Sequence, residues 1–117
     1  MANEDDVRRL ALALPETTEK PSYGTPGFRV KDKLFLRIRS DEEGALVVFV
    51  ADLGEKEALL ASDPTVFFTT PHYDGFPSVL VRLEAVDLDE LGELITDAWR
   101  VRAPKRLRDA FDRDETR

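Results

Sequence analysis

The hexapeptide Thr70-Pro71-His72-Tyr73-Asp74-Gly75 holds most of the side chains in this chain that could do chemistry. It contains the single histidine and one of the two tyrosines, between a proline and a glycine that set a turn. An imidazole beside a phenol can serve as a general base or as a ligand-binding pair. It can equally satisfy backbone groups within a proline turn. Elsewhere the reactive side chains lack partners at useful spacing. Ser22, Ser40, Ser62 and Ser78 lie in no G-x-S-x-G elbow, and one histidine would have to serve any of them. With no cysteine and one histidine, a zinc site would need mostly carboxylate ligands. Asp87, Asp89 and Glu90 are neighbouring acids, but helix capping accounts for them. The six glycines form neither a dinucleotide fingerprint nor a phosphate loop. The residues point to no catalytic class, no metal and no cofactor, and the expectation is a non-enzymatic domain.

Charge supplies a second kind of candidate. The formal net charge is −7, which repels phosphate taken as a whole. The charge is segregated along the chain, however. Residues 28–39 carry Arg29, Lys31, Lys33, Arg37 and Arg39 against Asp32. Residues 100–113 carry Arg100, Arg102, Lys105, Arg106, Arg108 and Arg113 against Asp109 and Asp112. Such segregation can build a basic patch on an acidic protein. In the first segment Leu34-Phe35-Leu36-Arg37-Ile38-Arg39 alternates strictly, so Phe35, Arg37 and Arg39 are expected on one face of a strand. An aromatic ring with two guanidinium groups can stack on bases and pair with phosphates. A solvated strand face balanced by nearby acids is the alternative. The Lys105-Arg106-x-Arg108 cluster carries the same two readings.

These residues need elements to position them. Val7, Leu10, Ala11 and Leu14 recur at helical spacing, with Asn3 as the cap and Pro15 as the stop. Residues 21–27 read as a turn-rich stretch, followed by a strand from Phe28 that turns at Lys31-Asp32-Lys33. The Leu34–Arg39 strand follows, then a turn at 41–44. Leu46–Val50 reads as a central strand covered on both faces. Asp52 opens a short helix with Glu55 as its box partner and Leu59 and Leu60 as its apolar face. Val66–Phe68 and Val79–Leu83 read as strands. Asp87 caps a long helix whose stripe is Leu88, Leu91, Ile95, Ala98 and Trp99. Pro104 breaks that helix and starts another, with Leu107, Ala110 and Phe111 inside and a frayed tail at 114–117. The expectation is an α+β fold, one domain over 1–117, with helices packed on a mainly antiparallel sheet. The acidic start is unlike a signal peptide, and no apolar run approaches membrane length, so a cytoplasmic protein with no membrane partner is expected.

Three segments resemble the signature stretches of the MmcQ/YjbR family: Ser22–Phe28, Thr69–Gly75 and Ala98–Leu107 with its Ala98-Trp99 and Ala103-Pro104-Lys105-Arg106-Leu107. The resemblance covers the chain from the first helix to about Leu107. It implies a bacterial α+β domain of the double-wing type, with an antiparallel sheet and DNA as the partner. On that reading Arg29, Lys31, Lys33, Phe35, Arg37, Arg39, Lys105, Arg106 and Arg108 are the candidate nucleic-acid contacts. The alternative is a protein- or small-molecule-binding domain with a groove lined by Tyr23, Phe28, Phe68, His72, Tyr73 and Trp99.

Overall fold

The first helix, α1 (Glu4–Leu12), begins where expected. Asn3 and Asp6 exchange side-chain and backbone hydrogen bonds in a capping box. Its inward stripe holds Val7 and Ala11, and Leu14, just past its end, is buried with them. The computed structural model describes residues 2–22, 24–39 and 44–115. Tyr23 and the expected turn at 41–43 lie outside these residues, as do Thr116 and Arg117 at the expected frayed end.

The chain then forms β1 (Thr17–Ser22), β2 (Thr25–Val30), β3 (Lys33–Arg39), β4 (Ala45–Phe49), α2 (Leu53–Ser62), β5 (Phe67–Phe68), β6 (Ser78–Arg82), α3 (Leu88–Arg102) and α4 (Lys105–Glu115). The strands form one antiparallel sheet in the order β1-β2-β3-β4-β6-β5. The 21–27 stretch is therefore not simply a turn. It contributes the end of β1 and the start of β2, paired as Pro21 with Pro26 and Ser22 with Thr25. The strand β1 escapes a search for alternating hydrophobics because it is polar throughout and pairs on one side only. The β2–β3 connection is a two-residue turn with positive φ at both Lys31 and Asp32, the geometry that matches the twist of a hairpin. At the far end α4 runs to Glu115.

One face of the sheet meets α1, α2 and α3. The core there includes Phe28, Val30, Leu36, Ile38, Leu46, Val48, Val79, Val81, Leu91, Ile95 and Trp99. Trp99 is fully buried, donates its indole N–H to the Pro15 carbonyl at 3.0 Å, and packs against Phe111 of α4 with ring centroids 5.1 Å apart. The Asp52 carboxylate accepts from the Glu55 N–H at 2.8 Å, and Asp87 accepts from Asp89 rather than Glu90. Both acids satisfy orphan donors at a helix start. Among the described residues the opposite face of the sheet carries no α-helix; the 3-10 turn Pro71–Tyr73 crosses it and covers Ala45, Val47 and Leu80. Continuous burial of Ala45–Val48 follows from these two covers.

Candidate binding face

Cross-strand register decides which side chains share the face beneath the Pro71–Tyr73 turn. One row runs Lys20, Gly27, Arg37, Val47, Leu80, Phe68. A second runs Arg39, Ala45, Arg82. Arg29 pairs with Leu34 in a third. The strands thus present Lys20, Arg29, Arg37, Arg39 and Arg82 on one face, and among the described residues they place no carboxylate there. Acids instead concentrate on the helices, with Glu4, Asp5 and Asp6 on α1 and Asp89, Glu90, Glu93 and Asp97 on α3.

Phe35 does not belong to this face. Between Phe28 and Arg29 the register advances one residue on β2 and two on β3. Phe35 is the extra residue of a β-bulge, which breaks strict alternation. It is fully buried with Leu36 in the core, while Leu34 turns out beside Arg37. The expectation of an exposed Phe35 for base stacking is therefore corrected. The guanidinium groups on this face lie near other rings. Arg82 lies 4.1 Å from the centroid of Phe68, Arg39 lies 6.0 Å from that of Tyr73, and Arg102, at the end of α3, lies 5.2 Å from that of Phe49. Arg102 also donates to the Leu34 carbonyl at 3.1 Å, joining the helix end to the bulged strand.

The remaining basic candidates separate. Lys31 pairs with Glu16 at 3.4 Å, and Lys33 is exposed at the start of β3. Arg29 reaches back to the Asp32 carbonyl at 3.3 Å. Lys105, Arg106 and Arg108 lie on α4, on the helical side of the sheet, and so do not extend the basic face. Lys105 bonds Asp109 at 2.6 Å, and that hydrogen bond holds the Asp109 carboxyl below its ordinary pKa.

The alternative groove divides in the same way. Phe28 and Trp99 are fully buried in the core between sheet and helices, so neither lines a groove with the 70–75 turn. Phe68, His72 and Tyr73 do lie on the open face. His72 meets the Tyr73 ring edge-on at 4.9 Å. Arg37 donates to the Tyr73 hydroxyl at 2.6 Å. Arg37, His72 and Tyr73, together with Leu34, Val47, Phe49 and Ser78, surround a cleft of about 470 Å³; Phe68 lies outside its lining. Among the described residues no hydrogen bond joins His72 to a hydroxyl or carboxylate, and no group of three or more His, Asp or Glu side chains is placed to hold a metal ion.

The turn that roofs this cleft is fixed by Lys56. This side chain is 4% exposed, and its ammonium donates to the carbonyls of Tyr73 at 2.6 Å and Phe76 at 3.1 Å. Its signal was present in the sequence. Lys56 shares a helix face with Leu59 and Leu60 at i+3 and i+4, and a lysine on an apolar stripe must find acceptors. Lys56→Met should preserve the buried stem and remove the charged donor from both carbonyls, leaving the Tyr73 carbonyl with the Phe76 N–H and the Phe76 carbonyl with the Ser78 N–H. The expected loss is about 1–3 kcal/mol, with faster amide exchange over residues 71–78. Unaltered stability together with unaltered exchange would refute this role. Arg82, Arg102, Lys20 and Phe49 were also missed. For Arg82 the cue was its alternation with Val79 and Val81; the others needed the strand order.

A six-stranded antiparallel sheet with helices on one face and a basic, aromatic-lined cleft on the other defines an α+β domain. Residues 12–101 match the YjbR family, and the chain belongs to that family. It is 44% identical over 127 residues to uncharacterized proteins of Mycobacterium bovis and Mycobacterium tuberculosis, covering 95% of this chain and 96% of each relative. The fold is also that of a Deinococcus radiodurans protein with a DUF419 domain, known from a crystal structure. That similarity has a TM-score of 0.72 at 23% identity and covers 85% of this chain and 77% of the other. Among the described residues no helix is long and apolar enough to cross a membrane.

Proposed function

We propose that this domain is a non-enzymatic DNA-binding module that uses the uncovered face of its sheet. The observation that carries this reading is the sorting of charge: among the described residues the strands place five cations and no carboxylate on one face with Arg102 beside it, Lys20 pairing with a turn acid, Asp32, at 3.8 Å, while α1 and α3 carry runs of acids. A local cluster of this kind can bind phosphate although the net charge is −7, because the potential at the patch, not the net charge of the molecule, acts on a phosphate lying against it. The arginines suit the task, since a guanidinium can pair with a phosphate while stacking on a ring. Among the described residues His72 meets the Tyr73 ring and no hydroxyl or carboxylate placed to activate it, which supports binding over catalysis. The reading places the protein in the cytoplasm, a compartment suited to its cysteine-free sequence.

The test is a titration of short labelled duplex and single-stranded DNA. Measurable binding is expected at low salt, weakening at physiological salt to a dissociation constant of roughly 10⁻⁴–10⁻⁶ M. Failure to bind either form at low salt rejects the proposal.

A further inference from the structure

We infer that the cleft under the Pro71–Tyr73 turn receives a single unstacked nucleobase, so that the domain selects single-stranded over duplex DNA; this rests on the phosphate-binding reading above. The cleft is concave, and its volume of about 470 Å³ lies within the roughly 300–1,000 Å³ of small-ligand sites. Its apolar and aromatic lining comes from Leu34, Val47 and Phe49. A flat ring can bury its faces against such a surface, and every base has those faces. Arg37, His72 and Ser78 bring polar groups to the same space. The Tyr73 hydroxyl holds Arg37 at 2.6 Å, so one guanidinium is already set where base and backbone phosphate meet. Arg102, over Phe49, brings a second cation to the same ring.

Duplex DNA fits this geometry poorly. Its base faces are hidden in the stack, and reading its major groove takes a projecting helix or two-stranded ribbon. The uncovered face projects only a three-residue turn. A duplex can therefore lay phosphates on the arginines but cannot fill the cleft, whereas a single strand can do both.

The experiment compares three labelled probes with matched phosphate number at low salt: a single-stranded thymidine oligonucleotide, the same strand with abasic positions, and a duplex. The intact single strand should bind roughly 5- to 100-fold more tightly than the abasic strand, the range expected from stacking one base, and the duplex should resemble the abasic strand. In Phe49→Ala the intact single strand should bind no more tightly than the abasic strand does to the same variant. If that variant proves unfolded, the abasic comparison on the parent protein decides alone. Equal affinities for all three probes overturn the inference and leave the phosphate-binding face standing. A folded Phe49→Ala protein that still prefers the intact strand also overturns it. Absence of binding to every probe overturns both readings.

Discussion

Replacing Trp99 by alanine is expected to cost about 3–5 kcal/mol, a large share of the roughly 5–15 kcal/mol that holds a domain of this kind together. The indole is the largest fully buried side chain. It fills the space between α1, α3 and α4, touching Phe111 and bonding the Pro15 carbonyl 84 positions away in the sequence. No neighbour can collapse into a void of that size without shifting a helix, so the lost transfer energy and the cavity add. The melting temperature should fall by on the order of 15 °C. Trp99→Phe separates the contributions. It keeps most of the packing and loses the N–H, and because Pro15 is exposed, water can replace that donor. Its cost should be about 1 kcal/mol. A Trp99→Ala protein melting within a few degrees of the parent would show that α4 and Pro15 are held by other means.

The second large effect concerns salt. If Arg37, Arg39, Arg82 and Arg102 each neutralise one phosphate, the logarithm of the binding constant should fall with the logarithm of salt at a slope near −3.6. Between about 50 and 200 mM salt, that is a loss of roughly 150-fold. Changing Arg37 and Arg39 together to glutamine should halve the slope to about −1.8, leaving a loss of roughly 12-fold over the same interval. The weakening should be similar for every sequence, since phosphate contacts position a strand without reading it. Lys105→Ala with Arg106→Ala, on the helical side, should leave the slope as in the parent. An undiminished slope in the Arg37/Arg39 protein, or a reduced one in the α4 protein, would place the phosphates on another surface.

Helix positions were legible because their causes are local. Asn3, Asp52 and Asp87 cap, Pro15 and Pro104 interrupt, and Val7, Ala11, Leu91, Ile95 and Trp99 recur at helical period. The central strands were legible because both of their faces are covered. Phe35 was misplaced because a bulge is a property of two paired strands, and β3 alone shows only perfect alternation. The groove was misdrawn because Phe28 and Trp99 are as aromatic as Phe68 and Tyr73. Only register and strand order say which side of the sheet each occupies. The contribution of Arg82 and Arg102 to one face depends on β6 pairing with β4 and on α3 ending beside Leu34, both long-range facts. Lys56 is different, since helical spacing with Leu59 and Leu60 suffices to place it on the buried stripe.

The order of the strands also governs how copies of this molecule can meet. A sheet ordinarily risks recruiting another chain along its rim, where backbone donors and acceptors stand unpaired. Here one rim, β5, is two residues long and offers almost no template. The other, β1, has a proline at position 21, which has no amide hydrogen to give, and a glutamate at position 19 that accepts from Arg8 Nε and Nη2 at 2.8 and 3.1 Å. Rim-to-rim growth into fibrils is thereby discouraged on both sides. Partners are left to approach broadside, and concentrated solutions should resist β-aggregation even where the broad face is occupied.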